Sequence, residues 1–154
     1  MKTKYHANFY FSEKSGMNVG DTQLFQVGRM HCAPGTVVPK HVQYNLFELT
    51  IVRAGTGTAY TNGTPSALSP GDIYVSFPGD FHEMISDVEN PMKFDFIALN
   101  TTDPELHRTL EDVESKFLSP LSRIIHDARI GVLCQDVLAE ISGNPQYRDR
   151  QLNA

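Results

Sequence analysis

The sequence lacks several features that would indicate particular functions. It has no tryptophan, and its two cysteines, Cys32 and Cys134, match no zinc or redox spacing. No apolar run approaches the roughly 18 residues of a membrane helix. A Gly-rich phosphate loop, a Gly-x-Ser-x-Gly elbow and a setting for a catalytic cysteine are also missing. These absences argue against membrane insertion, a disulfide or zinc framework, nucleotide binding and the common hydrolase mechanisms.

Positive charge is also scarce. The chain carries 13 Lys and Arg residues against 18 Asp and Glu, a formal net charge of −5. Nucleic-acid binding depends largely on Lys and Arg neutralising phosphates, so the chain is not expected to bind DNA by itself. The amino-terminal segment "MKTKYHANFYFSEKSG" has no continuous apolar stretch, so it does not resemble a secretion signal and we expect a cytoplasmic protein.

The residues that are present indicate one soluble domain built mainly from strands. Of the 154 residues, 40% are hydrophobic and 20% are charged. From about residue 24 to residue 99 the apolar residues recur with a period of two, which predicts a β-sandwich or barrel. In "YTNGTP", Asn62 and Gly63 suit a type I′ hairpin turn between strands carrying Tyr60 and Leu68. The predicted strands are "LFQVGRMH", "LFELTIVRA", "GTAYT", "SAL", "DIYVSF", "HEMIS" and "MKFDFIAL".

After residue 102 the period becomes helical. An acid and a proline open a helix predicted over 104–117. A second helix is predicted over 120–142, ended by Gly143. Its apolar stripe comprises Leu121, Ile124, Ile125, Ala128, Val132, Val137, Leu138 and Ile141. We therefore expect a β-barrel over 1–102, a helical appendage over 103–143, and a tail or the start of a linker over 144–154.

Two motifs resemble those of the cupin superfamily. In "GTVVPKHVQYNLFELTIVRAG", a loop with strands on either side, Gly35 is followed at the family's spacing by His41, Gln43, Glu48 and Gly55. Gln43 stands where the family has a second histidine. The second motif, "GDIYVSFPGDFHEMIS", contains Gly71, Gly79 and His82 at the family's spacing, although Pro78 is one place late and Ser86 replaces an asparagine. The resemblance implies an all-β fold, a cupin jelly-roll (double-stranded β-helix) barrel, followed here by a carboxy-terminal pair of α-helices.

The four positions of these motifs have a chemistry of their own. Two imidazoles and one carboxylate are the ingredients of a facial triad, so His41, Glu48 and His82 could bind iron, manganese, nickel or zinc. Gln43 would add an amide oxygen, a weaker ligand than imidazole. The alternative is a polar cluster inside the barrel without an ion, and no cofactor is then expected. Gln43 favours this alternative.

A finer resemblance extends across most of the barrel. The order "FELTIVRAGTGTAYTNG…LSPGDIYVSFPGDFHEM…KFDFIALN", followed by amphipathic helices, is similar to the sensing domain of AraC-type transcription regulators. That resemblance implies a small-molecule effector in the barrel, a homodimer formed through the trailing helices, and DNA contacted only by a separate helix-turn-helix domain. Too few residues follow the second helix for such a unit, so this chain is expected to be the sensor alone. The residues that match are Glu48, Leu49, Val52, Gly55, Gly57, Gly63, Leu68, Gly71, Asp72, Pro78, Gly79 and His82.

The alternation of side chains along strands predicts the lining of the pocket. If Glu48 points inward, the inner face also carries the following residues: Thr50, Val52, Tyr60, Phe77, His82, Met84 and Phe96. A sugar or small polar metabolite would suit this mixture of apolar walls and polar groups. The predicted ligand-binding residues are His41, Gln43, Tyr44, Glu48, Tyr60 and His82, the two tyrosines because their hydroxyls need partners.

Three functions are therefore compared. The first is an effector-binding and dimerisation domain of an AraC-type regulator. The second is a metal-dependent cupin enzyme, such as a dioxygenase or isomerase, in which His41, Glu48 and His82 hold an ion that activates dioxygen or polarises a carbonyl. The third is a storage or sugar-binding cupin without catalysis.

Overall fold

The computed structural model describes residues 5–143, with side chains from residue 18 onward. The predicted tail or linker over 144–154 lies outside these residues. No helix within 5–143 is long and apolar enough to cross a membrane. The elements are β1 (Tyr5–Val19), β2 (Thr22–Cys32), β3 (Val37–Val42), β4 (Phe47–Ala54), β5 (Gly57–Thr61), β6 (Thr64–Leu68), β7 (Ile73–Ser76), β8 (Phe81–Ser86), β9 (Lys93–Thr101), α1 (Pro104–Lys116), β10 (Ile124–Ile125) and α2 (Ala128–Gly143).

The strands form two antiparallel sheets that face each other. The six-stranded sheet has the order β1-β2-β9-β4-β7-β10, and the four-stranded sheet has the order β3-β8-β5-β6. Strands far apart in sequence are neighbours in both sheets, as β4 and β9 or β3 and β8 show. The prediction of an all-β barrel followed by two helices is confirmed.

The predicted hairpin is present, but three strands are not among those predicted. Asn62 and Gly63 both have positive φ, 50° and 85°, as a type I′ turn requires, and Thr61 pairs with Thr64 across it. The additional strands are β1, which pairs with β2, β3, which pairs with β8, and β10, which adds to the free edge of β7. Strands β1 and β10 lie outside the segment in which the sequence alternates with a period of two, whereas β3 lies inside it but contains Pro39 and a break in its pairing with β8.

Helix α1 agrees with the sequence prediction. The Asp103 carboxylate accepts a hydrogen bond from Leu106 N at 2.7 Å, and Pro104 occupies the first turn, where a missing N–H costs nothing. One side of the helix packs through partly buried Leu110 and Val113 against a cluster on the outer face of the larger sheet that contains Phe47, Val75 and Phe77. The helix thereby covers the end of the sheet at which these residues lie.

The second predicted helix was wrong over its first part. Residues Pro120–Ser122 form a short 3-10 turn, and the backbone of β10 pairs with Ile73 and Tyr74 before α2 begins at Ala128. Tertiary pairing with the open edge of β7 overrides the local helical pattern at Ile124 and Ile125. The apolar stripe was also partly wrong. The helix buries Cys134, Leu138 and Ile141, whereas Val132 and Val137 are 57% and 39% exposed.

Two apolar cores lie on opposite faces of the larger sheet. The core between the sheets comprises Met30, Val52, Ala59, Leu68, Tyr74, Met84, Met92, Phe94 and Phe96. The core beneath α2 comprises Leu24, Val27, Ile51, Ile73, Ile97, Cys134, Leu138 and Ile141. Because residues on one strand alternate between these cores, Val52 and Phe96 mark the inner face of the barrel and Ile51 and Ile97 mark the outer face.

A buried carboxylate ties α2 to the outer face. Asp95, which is fully buried, accepts hydrogen bonds from Arg29 at 2.6 and 3.0 Å and from Arg53 at 2.8 Å. Burial alone would raise the pKa of Asp95, but the hydrogen bonds and charges of the two guanidinium groups outweigh it and hold the pKa below its usual value. Arg53 also donates to the Gly131 carbonyl at 3.2 Å. The first turn of α2 is thus held by the same ion-pair network that joins β2, β4 and β9.

The last glycine of the first motif has a packing role. Gly55 adopts φ +72°, and a Cβ there would lie 2.0 Å from the Pro91 carbonyl oxygen. Any larger residue would therefore push apart the turn after β4 and the loop before β9. This close approach explains why a glycine is needed seven positions after Glu48.

Candidate functional site

The strands bring four of the predicted site residues together inside one end of the barrel. Glu48 lies two positions before Thr50 and four before Val52 on β4, so it shares their inner face. His82 lies two positions before the inward-facing Met84 on β8, and His41 pairs directly with His82. Gln43 follows β3 and reaches Glu48 with its side chain. We call the following residues the polar cluster: Gln26, His41, Gln43, Glu48, Thr50 and His82.

Glu48 lies at the centre of the polar cluster and connects the two sheets. Its Oε2 accepts a hydrogen bond from Gln43 Nε2 at 3.0 Å, and its Oε1 lies 3.6 Å from His82 Nε2, just beyond hydrogen-bond distance. The same Gln43 nitrogen lies 3.4 Å from Gln26 Oε1. Glu48 is 6% exposed and His82 is 2% exposed. A carboxylate therefore sits in a nearly dry interior with one hydrogen bond from a neutral amide.

The two imidazoles are stacked edge to face. Their ring centroids are 4.0 Å apart and the rings are inclined by 65°. His41 Nδ1 lies 2.8 Å from the Pro39 carbonyl oxygen, and because a carbonyl only accepts, Nδ1 must carry the proton. In a neutral His41 ring, Nε2 is then an acceptor. The backbone of β3 therefore sets the tautomer of His41.

Several buried polar atoms of the cluster find no hydrogen-bond partner within the described part of the chain. These atoms are Gln43 Oε1, Thr50 Oγ1, and both ring nitrogens of His82. A buried donor or acceptor that makes no hydrogen bond destabilises the folded protein by about 1–3 kcal/mol, so such atoms are rare in folded proteins. Their concentration on one inner surface is the pattern expected where a ligand or bound water supplies the missing partners.

The inward-facing predictions for Thr50, Val52, His82, Met84 and Phe96 are confirmed, but two others were wrong. Tyr60 pairs with Glu83, whose neighbours on β8 face inward, so both Tyr60 and Glu83 lie on the outer face. Phe77 packs with Phe47 in the cluster covered by α1.

Tyr44 also lies away from the polar cluster. It occupies the turn between β3 and β4 and is 72% exposed, so water satisfies its hydroxyl. It lines a surface pocket of about 260 Å³ together with Asn45, Pro78 and residues of α1. The structure therefore groups His41, Gln43, Glu48 and His82 but separates both predicted tyrosines from them.

A different tyrosine takes the place of the predicted ones. Tyr74 on β7 is fully buried, and its hydroxyl lies 2.6 Å from Thr61 Oγ1 on β5. Thr61 pairs with His82, and Tyr74 pairs with Thr50, so this hydrogen bond joins the two sheets beside the polar cluster. The alternation of residues along the strands did not predict the Thr61–Tyr74 contact, because the register between β5 and β8 is not visible in the sequence.

The arrangement of nitrogen and oxygen atoms in the polar cluster determines whether the cluster can bind a metal ion. No three His, Cys, Asp or Glu side chains within residues 18–143 are grouped so that they could share an ion. Gln43 directs its nitrogen, which cannot bind a cation, toward Glu48. In this arrangement the residues of the polar cluster do not fit a metal centre.

Comparison with known proteins identifies the family. The model of the AraC-like ligand binding domain matches residues 26–153, which is most of the chain. The chain belongs to this family. No curated protein matches the sequence.

Solved structures similar to the AraC-like domain are cupins. The cupin domain of Cnp3 from Schizosaccharomyces pombe has a TM-score of 0.53 and 11% identity, covering 70% of this chain and 72% of that one. A double-stranded β-helix protein from Klebsiella pneumoniae has a TM-score of 0.53 and 19% identity, covering 66% and 82%. Oxalate oxidase bound to glycolate has a TM-score of 0.51 and 16% identity, covering 68% and 54%. At these identities the likeness establishes the cupin fold.

The hydroxyl groups of Thr50 and Thr61 differ in their hydrogen bonding, and this difference gives a prediction for the stability of the AraC-like domain without ligand. Thr50→Val removes a buried hydroxyl that has no partner among residues 18–143, so we expect the free energy of unfolding to rise by about 1 kcal/mol. Thr61→Val is the matched control, because it removes a hydroxyl bonded to Tyr74 and should lower the free energy of unfolding by about 1 kcal/mol. Urea denaturation measures both. Equal losses in the two variants would show that Thr50 is already satisfied.

Proposed function

We propose that this chain is the ligand-sensing and dimerisation domain of an AraC-type transcription regulator, binding a small polar metabolite or sugar in the barrel. The observation that carries the proposal is the set of unpartnered polar atoms around Glu48 on the inner face of a domain from the ligand-binding family. Such atoms are costly in the free protein and become favourable when a ligand pairs with them.

The chemistry of the inner face favours a neutral ligand with several hydroxyl groups. Glu48 accepts hydrogen bonds, whereas His82 and Thr50 can each donate or accept, and a hydroxyl can satisfy all three. Apolar contacts from Val52, Met84 and Phe96 would cover the carbon skeleton. The Lys and Arg residues of β2–β9 all lie on the outer face, so the inner face of these strands offers no fixed positive charge to an anionic ligand. These residues are Arg29, Lys40, Arg53 and Lys93.

The surface of α2 supports the dimerisation part of the proposal. While Cys134, Leu138 and Ile141 are buried against the barrel, Val132 and Leu133 are 57% and 63% exposed. A groove of about 570 Å³ continues this surface and is lined mainly by apolar side chains, among them Val19, Leu24, Val137 and Ile141. An exposed apolar helix face beside such a groove is typical of protein interfaces. The proposed dimer would bury this surface between two copies of α2.

DNA would be contacted by a separate domain. The net charge of −5 makes the sensing domain a poor ligand for phosphates. Ligand binding would instead act by favouring one arrangement of the helices over another.

The first test is stabilisation by ligand. Pentoses, hexoses and polyols are screened by thermal unfolding, and a ligand at about 100 times its Kd is expected to raise Tm by about 5–10 °C. Glu48→Gln should greatly reduce this shift because the central acceptor loses its charge. Tyr60→Phe, on the outer face, is the control and should keep it. A shift lost in Tyr60→Phe and kept in Glu48→Gln would place the ligand outside the barrel.

The second test concerns dimerisation. Leu133→Glu places a charge on the exposed face of α2 and should weaken the dimer at least tenfold, as measured by sedimentation equilibrium. Leu121→Glu is the control, because Leu121 is 75% exposed but lies outside α2, and it should leave the dimer unchanged. A wild-type protein that stays monomeric across the concentration range would contradict the proposed dimer.

A metal-dependent cupin enzyme is the alternative function. It is favoured by one observation, that both nitrogens of His82 and the Gln43 oxygen lack partners beside the Glu48 carboxylate. His41 would be the further ligand. Elemental analysis of protein purified without chelators decides between the two functions. We expect less than about 0.1 iron, manganese, nickel or zinc per chain, because amide oxygen is a weak ligand; one metal ion per chain, lost in His82→Gln, would support the enzyme instead.

A further inference from the structure

The turn between β7 and β8 is attached to the polar cluster. Residues 77–80 form this turn, and Asp80 closes it by accepting a hydrogen bond from Phe77 N at 2.8 Å. Gly79 N donates to the Gln43 carbonyl at 3.0 Å. His82 is separated from Asp80 by a single residue. Gln43 and His82 are therefore joined to this turn by short hydrogen-bonded and covalent connections.

Asn62 provides a third connection between the turn and the cluster. Its side chain donates to Asp80 Oδ1 at 3.2 Å and accepts from Phe81 N at 2.9 Å. Asn62 directly follows Thr61, which pairs with His82 across β5 and β8. The turn thus holds the strand ends that carry His82 and Thr61 in one fixed arrangement.

On its other side, the turn is attached to the segment that leads into α2. Arg123 is 3% exposed and forms a two-pronged ion pair with Asp80, in which Nη1 contacts Oδ2 and Nη2 donates to Oδ1 at 3.2 Å. Nη2 also lies 3.3 Å from the Leu118 carbonyl, and the guanidinium carbon is 4.6 Å from the centre of the Phe77 ring. The Asp80–Arg123 ion pair is the anchor of this segment in the barrel.

The backbone after Arg123 continues this attachment into the sheet. The Arg123 carbonyl accepts from Val75 N at 2.9 Å, and the next two residues form β10 against β7. Helix α2 starts at Ala128, only three residues after β10 ends. Arg123 therefore contacts the turn through its side chain and β7 through its carbonyl, immediately before β10 and α2.

A buried ion pair is a costly way to obtain stability alone. The desolvation of two charges offsets much of their attraction, and apolar side chains of similar size are often as stabilising. Arg123 Nε, moreover, has no partner within the described part of the chain. A purely stabilising role is therefore weakly supported for this pair.

We propose that the Asp80–Arg123 ion pair couples the polar cluster to α2, so that a ligand contacting His82 shifts β10 and the start of α2. This inference rests on the proposed function, since it describes how occupancy of the barrel would reach the dimerisation surface. Asp80 and Arg123 are positioning residues in this scheme. They touch neither the ligand nor the partner subunit.

Amide hydrogen exchange of the full chain without ligand tests the coupling. His82→Gln perturbs the cluster from the four-stranded sheet, which has no member in the core beneath α2. We expect it to raise the exchange rates of amides in β10 and α2 about fivefold, the lower end of usual coupling factors. In the Asp80→Asn background, the same substitution should change these rates by less than about twofold. All variants are compared at one protein concentration and in one assembly state.

Arg53→Lys provides the control background. Arg53 also holds α2, through Gly131, but it belongs to the outer ion-pair network and does not contact the turn. The effect of His82→Gln should therefore remain about fivefold in this background. A change that is equally large in the Asp80→Asn background, or no change in the otherwise wild-type chain, would overturn the proposal.

Arg123→Lys is a second variant of the Asp80–Arg123 ion pair, and it replaces Asp80→Asn if that protein does not fold. It keeps the charge but loses the two-pronged geometry, so it too should reduce the effect of His82→Gln to less than about twofold. The experiment uses no effector. Failure of the coupling would thus leave ligand stabilisation intact, whereas failure of the proposed function would appear as a missing ligand shift with the coupling preserved.

Discussion

The burial of the Glu48 carboxylate between the two sheets is the constraint on which the site depends. A charge removed from water costs several kcal/mol unless it is paired, and no lysine or arginine of β2–β9 reaches the inner face. The structure compensates in part with the Gln43 amide at 3.0 Å and the His82 ring at 3.6 Å. Both compensating groups come from outside β4, one from the end of β3 and one from β8. Holding them near Glu48 requires the two sheets to keep a fixed spacing and register at this end of the barrel.

That requirement explains why the outer face of the larger sheet is so heavily supported. Because part of the inner face is polar, apolar burial between the sheets stabilises the barrel less than a fully apolar core would. Helices α1 and α2 supply additional apolar burial on the outer face. Two ion pairs complete the support. Arg53 and Asp95 hold the first turn of α2, while Arg123 and Asp80 hold the chain before β10. The helices are therefore attached to the outer face of the same sheet whose inner face carries Glu48 and Thr50.

The sequence predicted the barrel because its strands alternate with a period of two and its turns have distinctive residues. The glycine of the motif, Gly55, has a structural reason, because its backbone closely approaches the Pro91 carbonyl. The sequence did not predict features that depend on register. Tyr60 was assigned to the inner face because parity along β5 has no marker of its own, whereas Thr61 faces inward. Residues Ile124 and Ile125 match a helical stripe and become a strand only because β7 has a free edge beside them. Tertiary neighbours decide such cases, and a local pattern does not contain them.

Gln43 shows how one side chain alters the chemistry of the cupin motif while the fold remains the same. An imidazole at this position would offer a lone pair to a cation. The amide instead turns its nitrogen toward Glu48 and leaves its oxygen buried without a partner. The carboxylate thus receives a hydrogen bond from a neutral donor. Within residues 18–143, the Thr50 hydroxyl and the protonated nitrogen of His82 lack hydrogen-bond partners, and as donors they need acceptors that a bare cation does not supply. The cupin scaffold holds its spacing in either case, so the fold alone does not distinguish a sensor from an enzyme, and the distinction depends on the side chains around Glu48.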